Sequence, residues 1–195
     1  VLVDDPLSLV VIGLGEFTDK LLTLEPGTEA YIRGPYGISV QPPKKSKVMT
    51  VSGGTGLAAV YQIARDFRGD NEIEMFVGAR TQDRLYFVDE CTAIAELNIA
   101  TDDGSYGYHG LVTDMLRKRL RALDTEELSR LYFYNCGPEP MVNAAIAVQR
   151  EFCRNDQIHS AIDYDTKCGV GICGACSAPD GRRLCVDGPF LDAAI

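Results

Sequence analysis

The sequence predicts an α/β protein built on a parallel, doubly wound sheet. Three observations predict it. Short apolar strands alternate with helical stretches from Lys47 to Phe152, polar or glycine-rich clusters close each strand, and no hairpin signal interrupts the series. Repeated βα units of this kind place helices on both faces of a parallel sheet. Ligands in such sheets bind beyond the carboxyl ends of the strands, where the clusters at 53–56, 78–80, 101–105 and 135–139 would gather.

The elements follow in order. Leu7–Ile12 reads as a strand, apolar and β-branched at its end. Gly13-Leu-Gly15 and then Thr18 open a short helical stretch. Such a turn either holds a phosphate on backbone N–H groups or is an ordinary turn with a threonine cap. Glu29–Arg33 reads as a second strand, stopped by Gly34-Pro-Tyr-Gly37. The polar, Pro-rich segment 41–47 reads as a linker at the boundary between 1–40 and an α/β domain over 41–156, which a tail over 157–195 follows.

Beyond it, Val48–Val51 is a strand running into Gly53, Gly54, Thr55 and Gly56. Residues 57–68 are apolar at 57, 60, 61, 63, 64 and 67, a helical period. Strand, glycine turn and helix open a dinucleotide-binding unit, the glycines letting a pyrophosphate approach the helix start. Glu72–Val77 is the next strand, followed by a helix over 83–97. Asn98–Thr101 ends a strand at Asp102-Asp103-Gly104-Ser105, and a helix spans 110–123. Leu131–Tyr134 is a strand closed by Asn135-Cys136-Gly137-Pro138, and a helix spans 138–152 with proline in its first turn.

The second organising feature is the tail. Cys168, Cys173 and Cys176 are spaced C-x4-C-x2-C, and Cys185 follows. That is the plant-type ligand pattern of a [2Fe–2S] cluster, which needs four thiolates converging on one small volume. Gly169, Gly171 and Gly174 let the backbone curl around an inorganic core and aim N–H groups at its sulfurs. The four-residue first gap favours iron–sulfur over the alternative, a four-thiolate zinc site. Disulfides are the least favoured reading, because the chain shows no secretory leader.

Composition bounds the rest. The 195 residues carry 19 basic and 28 acidic side chains, a net charge of −9. That balance argues against nucleic acid, whose binding rests on Lys and Arg contacts to phosphate. No apolar run approaches the ~20 residues of a membrane span. Cys91, Cys136 and Cys153 are scattered and odd in number, as suits a reducing cytoplasm. The first residue is Val rather than Met, so a segment upstream is expected. Cys136 could stand beside a nicotinamide ring or be a small buried filler, and no catalytic nucleophile is assigned. His109 and His159 read as surface or cap residues, Tyr106 and Tyr108 as loop tyrosines, and Arg80 as a phosphate partner or a solvated side chain.

Four motifs carry a resemblance. Gly34-Pro-Tyr-Gly37, Gly53-Gly-Thr-Gly-Leu57, Thr101-Asp-Asp-Gly-Ser-Tyr-Gly107 and Cys136-Gly-Pro-Glu-Pro-Met141 together resemble the ferredoxin–NADP reductase superfamily. The cysteine tail, with Cys185-Val-Asp-Gly-Pro189, narrows it to the electron-transfer subunits of NAD-linked dihydroorotate dehydrogenase, over nearly the whole chain. The resemblance implies a β-barrel holding FAD, an α/β domain receiving NAD and a C-terminal [2Fe–2S] loop. It also implies a cytoplasmic hetero-oligomer with a catalytic, FMN-containing subunit that oxidises dihydroorotate to orotate in pyrimidine biosynthesis. Electrons would leave FMN singly, cross the cluster to FAD and pass as hydride to NAD+.

Carried over by motif, Cys168, Cys173, Cys176 and Cys185 would ligate the cluster. Gly53, Gly54, Thr55, Gly56, Asp103, Gly104, Cys136, Gly137, Pro138, Glu139 and Met141 would face the nucleotide. Gly15 and Thr18 would lie near the FAD pyrophosphate, with Phe17 replacing a glycine of the family pattern. The family's Arg-Pro-x-Ser flavin motif and most of its barrel are missing, so the chain is expected to be a fragment or to carry only a barrel remnant. The small flavin subunit of NADH-dependent ferredoxin:NADP+ oxidoreductase shares the Cys-Val-Asp-Gly-Pro tail but lacks the first ligand cysteine, so Cys168 favours the dihydroorotate system. An exposed apolar surface with Val170 and Ile172 is expected to dock the catalytic subunit.

Overall fold

The computed structural model describes residues 8–161 and 165–193. A sheet of seven strands dominates it: β1 (Lys47–Gly53), β2 (Glu72–Ala79), β3 (Glu96–Thr101), β4 (Tyr108–His109), β5 (Leu131–Cys136), β6 (Ile158–Ala161) and β7 (Leu191–Asp192). Their order is β4-β3-β2-β1-β5-β6-β7. Neighbours are parallel except β7, which runs antiparallel to β6. The order reverses direction at β1, which pairs with both β2 and β5. The crevice at such a switch point is where open α/β sheets take their ligands.

Seven α-helices accompany it among the described residues: α1 (Glu16–Leu22), α2 (Gly56–Phe67), α3 (Val88–Thr92), α4 (Val112–Leu120), α5 (Thr125–Ser129), α6 (Glu139–Gln149) and α7 (Leu184–Asp187). Side chains alternate across each strand, so the sheet has two cores. Met49, Val51, Phe76 and Phe133 face α4 and α6, meeting Leu116, Leu120, Ala145 and Val148. Val48, Met75, Val77 and Tyr134 face α2, meeting Leu57, Val60, Ile63 and Ala64. The helical period read at 57–67 is therefore the buried stripe of α2. Strand β1 is buried along its whole length, as a central parallel strand must be.

One buried polar set ties three elements together. Asn135 and Gln149 exchange two amide hydrogen bonds of 2.8 Å, and Asn135 Nδ2 also donates to Ser160 Oγ at 3.0 Å. All three side chains are buried, and because their polar groups are paired, burial costs them little. The set locks the carboxyl end of β5 to α6 and β6, just ahead of Cys136.

Several expected elements differ. Leu7 lies outside the described residues. Ser8 makes only a single bridge, 9–12 form no strand, and Glu29–Arg33 form none either. A strand needs a partner for its N–H and C=O groups, and these residues have no formed sheet to join. Most stay exposed, Leu9, Ile12, Tyr31 and Ile32 among them, while Val10 and Val11 are half-buried. The helix expected over 83–97 shrinks to Val88–Thr92, after a short 3-10 turn at Gln82–Arg84. Phe87, just ahead of it, adopts a left-handed φ of 57°, which interrupts the helical run, and Glu96 and Leu97 begin β3. The helices expected over 110–123 and 138–152 are each shorter at both ends. Both β6 and β7 come from beyond residue 157, so that segment completes the sheet as well as carrying the cysteines.

Candidate functional site

The carboxyl edge of the sheet is a set of backbone approaches. Strand β1 ends at Gly53, Gly54 turns the chain with a φ of 54°, and α2 starts at Gly56. A Cβ on Gly56 would fall 2.1 Å from the carbonyl oxygen of Cys136, so the helix start lies directly against the end of β5. Pro138 caps α6 and its carbonyl accepts from the N–H groups of Met141 (2.9 Å) and Val142 (3.0 Å). Met141 then packs over Gly53 and Gly137. The structure thus brings Gly53, Gly54, Thr55, Gly56, Cys136, Gly137, Pro138 and Met141 together. Glu139 opens α6 and is exposed.

Asp103 and Gly104 follow β3, which β2 separates from β1. The Asp103 carboxylate accepts from the Ser105 hydroxyl (2.6 Å) and N–H (3.0 Å), which hold its carboxyl below the usual range. Ser105 Oγ in turn accepts from the Gln82 N–H at 2.8 Å, and Asp102 N–H donates to the Ala79 carbonyl at 3.0 Å. These bonds tie the loop after β3 to the loop after β2.

Tyr86 is a site residue that sequence reasoning missed. Its hydroxyl donates to the carbonyl of Gly54, which also accepts from Leu57 N–H at 3.2 Å. Burial, with the neighbouring Cys136 and Cys91 thiols, pushes the Tyr86 phenol up to about 12. No local signal marks it, because its partner is thirty-two residues away in sequence.

Gly15 caps α1, and Thr18 Oγ1 accepts from the N–H groups of Leu14 (2.8 Å) and Gly15 (3.2 Å) while donating to the Gly15 carbonyl. Its hydroxyl is engaged within its own turn, and α1 buries none of its residues.

The cysteine loop is held from both sides. Leu184 N–H donates to the Cys176 carbonyl at 3.1 Å, and Gly37 N–H donates to the Cys185 carbonyl at 2.9 Å. Ile38 N–H donates to the Gly188 carbonyl at 2.7 Å. A Cβ on Gly37 would meet that same Gly188 oxygen at 2.0 Å, which explains the glycine. Arg33 donates to the Lys167 carbonyl at 2.6 Å and lies 5.5 Å over the ring of Tyr36, which abuts Gly169. The 33–38 segment therefore clamps the cysteine loop, a role its sequence signalled only through Gly34-Pro-Tyr-Gly37.

Among the described residues, no three His, Cys, Asp or Glu side chains stand close enough together to hold a single metal ion. The Cys168 sulfur accepts from the N–H of Cys173 at 3.4 Å, and that N–H, with those of Val170 and Ile172, lowers its thiol to about 6. Cys176 is lowered by the Cys185 N–H, while Cys185 is raised by desolvation and by hydrogen bonding to Cys176. Backbone N–H groups that stabilise thiolate suit sulfurs that must bind metal as anions. Four cysteines on one clamped loop, with N–H groups lowering two of their thiols, fit the four-thiolate demand of a two-iron centre. The apolar side chains beside them face solvent, Val170 64 % and Ile172 84 % exposed.

A doubly wound sheet with a glycine turn at its switch point, clamped to a four-cysteine loop, defines an iron–sulfur oxidoreductase of the ferredoxin reductase type. Residues 50–146 match the oxidoreductase NAD-binding domain family, and residues 166–194 match the iron-sulfur cluster binding domain of dihydroorotate dehydrogenase B. The chain is 39% identical over 183 residues to the probable dihydroorotate dehydrogenase B (NAD(+)) electron transfer subunit of Pyrococcus horikoshii, covering 94% of this chain and 68% of that protein. It is 36% identical to the Methanocaldococcus jannaschii protein of the same description, covering 94% and 69%. A chain of the NADH-dependent reduced ferredoxin-NADP oxidoreductase superposes with a TM-score of 0.80 at 31% identity, over 94% of this chain and 66% of that one. The chain belongs to the family of dihydroorotate dehydrogenase B electron transfer subunits and spans about two thirds of the length of these relatives.

Proposed function

We propose that this protein is the electron-transfer subunit of an NAD-linked dihydroorotate dehydrogenase, with a [2Fe–2S] cluster, FAD and NAD as cofactors. The observation that carries the reading is the cysteine loop: four cysteines at ligand spacing, the Cys168 sulfur bonded by the Cys173 N–H, clamped to the segment preceding the α/β domain. An iron–sulfur centre carries one electron, and a flavin accepts one or two, which together couple a one-electron relay to two-electron nicotinamide chemistry.

Each part of the chain has a task in this reading. Cys168, Cys173, Cys176 and Cys185 hold the cluster, and the Val170, Ile172 and Cys173 amides stabilise its sulfurs. Gly53, Gly54, Thr55 and Gly56 offer a helix start to the NAD pyrophosphate. The wall from Cys136 to Met141 and the Asp103–Gly104 loop bound the nucleotide on either side. Residues 8–40 form no barrel in the described structure and Thr18 is engaged by its own helix, so no step is assigned to the flavin contacts of Gly15 and Thr18. The exposed Val170 and Ile172 side chains dock the catalytic, FMN-containing subunit. A cytoplasmic location goes with seven cysteines, none of them in a disulfide. The 31% identity to the ferredoxin-NADP oxidoreductase chain supports a second reading, a subunit of that type of complex, against which Cys168 stands.

The test is the visible spectrum of anaerobically purified protein, with iron, sulfide, zinc and flavin assayed on the same sample. Iron and sulfide in equal amounts, with bands that bleach on reduction, are expected. Colourless protein carrying zinc would overturn the reading. Co-elution with the catalytic subunit in size-exclusion chromatography tests the partner, and separate elution at micromolar concentration would refute it.

A further inference from the structure

Asn135 is the last side chain that β5 turns toward α6, one residue ahead of the wall that begins at Cys136. Its Nδ2 donates to Gln149 Oε1 at 2.8 Å and to Ser160 Oγ at 3.0 Å, and its Oδ1 accepts from Gln149 Nε2 at 2.8 Å. The surrounding side chains on this face, Phe133, Ala145, Val148 and Ile158, are apolar. Leucine-like groups could bury the same volume, but apolar packing tolerates sliding. Directional, satisfied hydrogen bonds specify one arrangement instead. Their net contribution to stability is modest, so what the trio adds is position.

What it positions is the end of β5. There Cys136 pairs with Ser52 of β1 on one side and with Ala161 of β6 on the other, and Asn135 pairs with Ser160. The approach of Gly56 to the Cys136 carbonyl leaves no slack on the α2 face. Gly137 is as tightly set, since a Cβ there would lie 2.8 Å from the Gly53 oxygen and 2.7 Å from the Met141 methyl. A shift of Asn135 is therefore passed to Cys136, Gly137 and Met141 together. This half of the sheet also carries the cysteine segment: β7 follows Cys185, and the Phe190 ring meets Tyr134 edge-on with centroids 5.6 Å apart.

We propose that Asn135, held by Gln149 and Ser160, positions the nicotinamide end of NAD against the β5 wall. It is a positioning residue: at 0 % exposure it cannot touch the ring and acts through Cys136 and Gly137. The role rests on the nucleotide reading given above. Electrons arrive from the cysteine segment, so the nicotinamide half lies on the β5 side of the glycine turn and the adenosine half on the Asp103–Gly104 side. The trio therefore governs one half of the dinucleotide and leaves the other alone.

The experiment is calorimetric titration of the oxidised holoprotein with NAD+ and, separately, with ADP-ribose, which keeps the adenosine and pyrophosphate but lacks the nicotinamide. It compares wild type with Asn135→Leu and with the triple variant Asn135→Leu/Gln149→Met/Ser160→Ala, and urea midpoints are read on the same samples. Wild type is expected to bind NAD+ more tightly than ADP-ribose. Asn135→Leu strands the Gln149 amide and the Ser160 hydroxyl in the core, so its urea midpoint should fall. Its NAD+ affinity should fall by about tenfold, with ADP-ribose affinity unchanged. The triple variant removes every member of the set at nearly constant shape, so its midpoint should return toward wild type. Its NAD+ affinity should stay low, a split that a purely structural role would not produce. Recovery of NAD+ affinity along with stability in the triple variant would overturn the proposal. So would an equal loss of ADP-ribose affinity in Asn135→Leu, or a wild type that binds the two ligands equally. If Asn135→Leu does not fold, the triple variant decides. Wild-type protein that binds neither ligand would instead defeat the nucleotide reading itself.

Discussion

The sharpest structural demand at the nucleotide edge is on Gly56. An alanine there places its methyl 2.1 Å from the Cys136 carbonyl oxygen, 2.4 Å from its carbon and 2.6 Å from Gly137 N. All three are backbone atoms, so no side chain can swing aside. Relief requires the start of α2 and the end of β5 to part by about an ångström, and overpacking of this order costs ~1–3 kcal/mol. For a protein near this size each kcal/mol lowers Tm by about 2–4 °C. The same displacement moves the helix start that would face the pyrophosphate, and a 1 Å error in a positioning element can cost about 100-fold. Gly56→Ala should therefore melt about 2–12 °C lower and bind NADH at least about tenfold more weakly in equilibrium titration. Gly69→Ala is the control, because a Cβ there meets nothing within 4 Å. Wild-type melting and wild-type NADH affinity in Gly56→Ala would refute the reasoning.

Three further outcomes are expected. Tyr86→Phe removes the hydroxyl bonded to the Gly54 carbonyl. It should weaken NADH binding severalfold in titration while costing about 0.5–1.5 kcal/mol of stability in urea. His159 stacks on Tyr134 at 5.1 Å, and desolvation lowers its pKa, with Asp192 and Asp156 opposing. The unfolded imidazole then binds protons more tightly than the folded one, so its contribution is present above about pH 6.5 and lost as pH falls below it. Urea midpoints should drop across that window in wild type and less in His159→Phe. Thr50 Oγ1 is buried without a hydrogen-bond partner. Thr50→Val should raise stability by about 1 kcal/mol, read as a higher urea midpoint at unchanged slope.

Much of the sheet was legible because its strands are local. Val48–Val51, Glu72–Val77 and Leu131–Tyr134 are apolar runs bounded by glycine or polar turns, and each sits inside an observed strand. Strand β6 escaped because Ile158–Ala161 is short and mixed, and it becomes a strand only by pairing with β5 and β7. The helix expected over 83–97 failed for a related reason. Its residues have helical propensity, but Leu85, Tyr86 and Phe87 pack against the α2-side core, and that contact overrides local preference.

The sequence alone determined the chemistry and its order along the chain: four thiols at ligand spacing, glycines at strand ends, a βα alternation. These are properties of near neighbours, where residue type and spacing dictate the local conformation. Only the tertiary structure decided which distant groups meet. Tyr86 reaches Gly54, Gly37 seats the Cys185 loop, and Arg183 reaches the Gly171 carbonyl. Each contact joins segments whose separation in sequence carries no signal. It forms because burying the two sheet faces brings those segments together, and the polar groups then pair as they leave water.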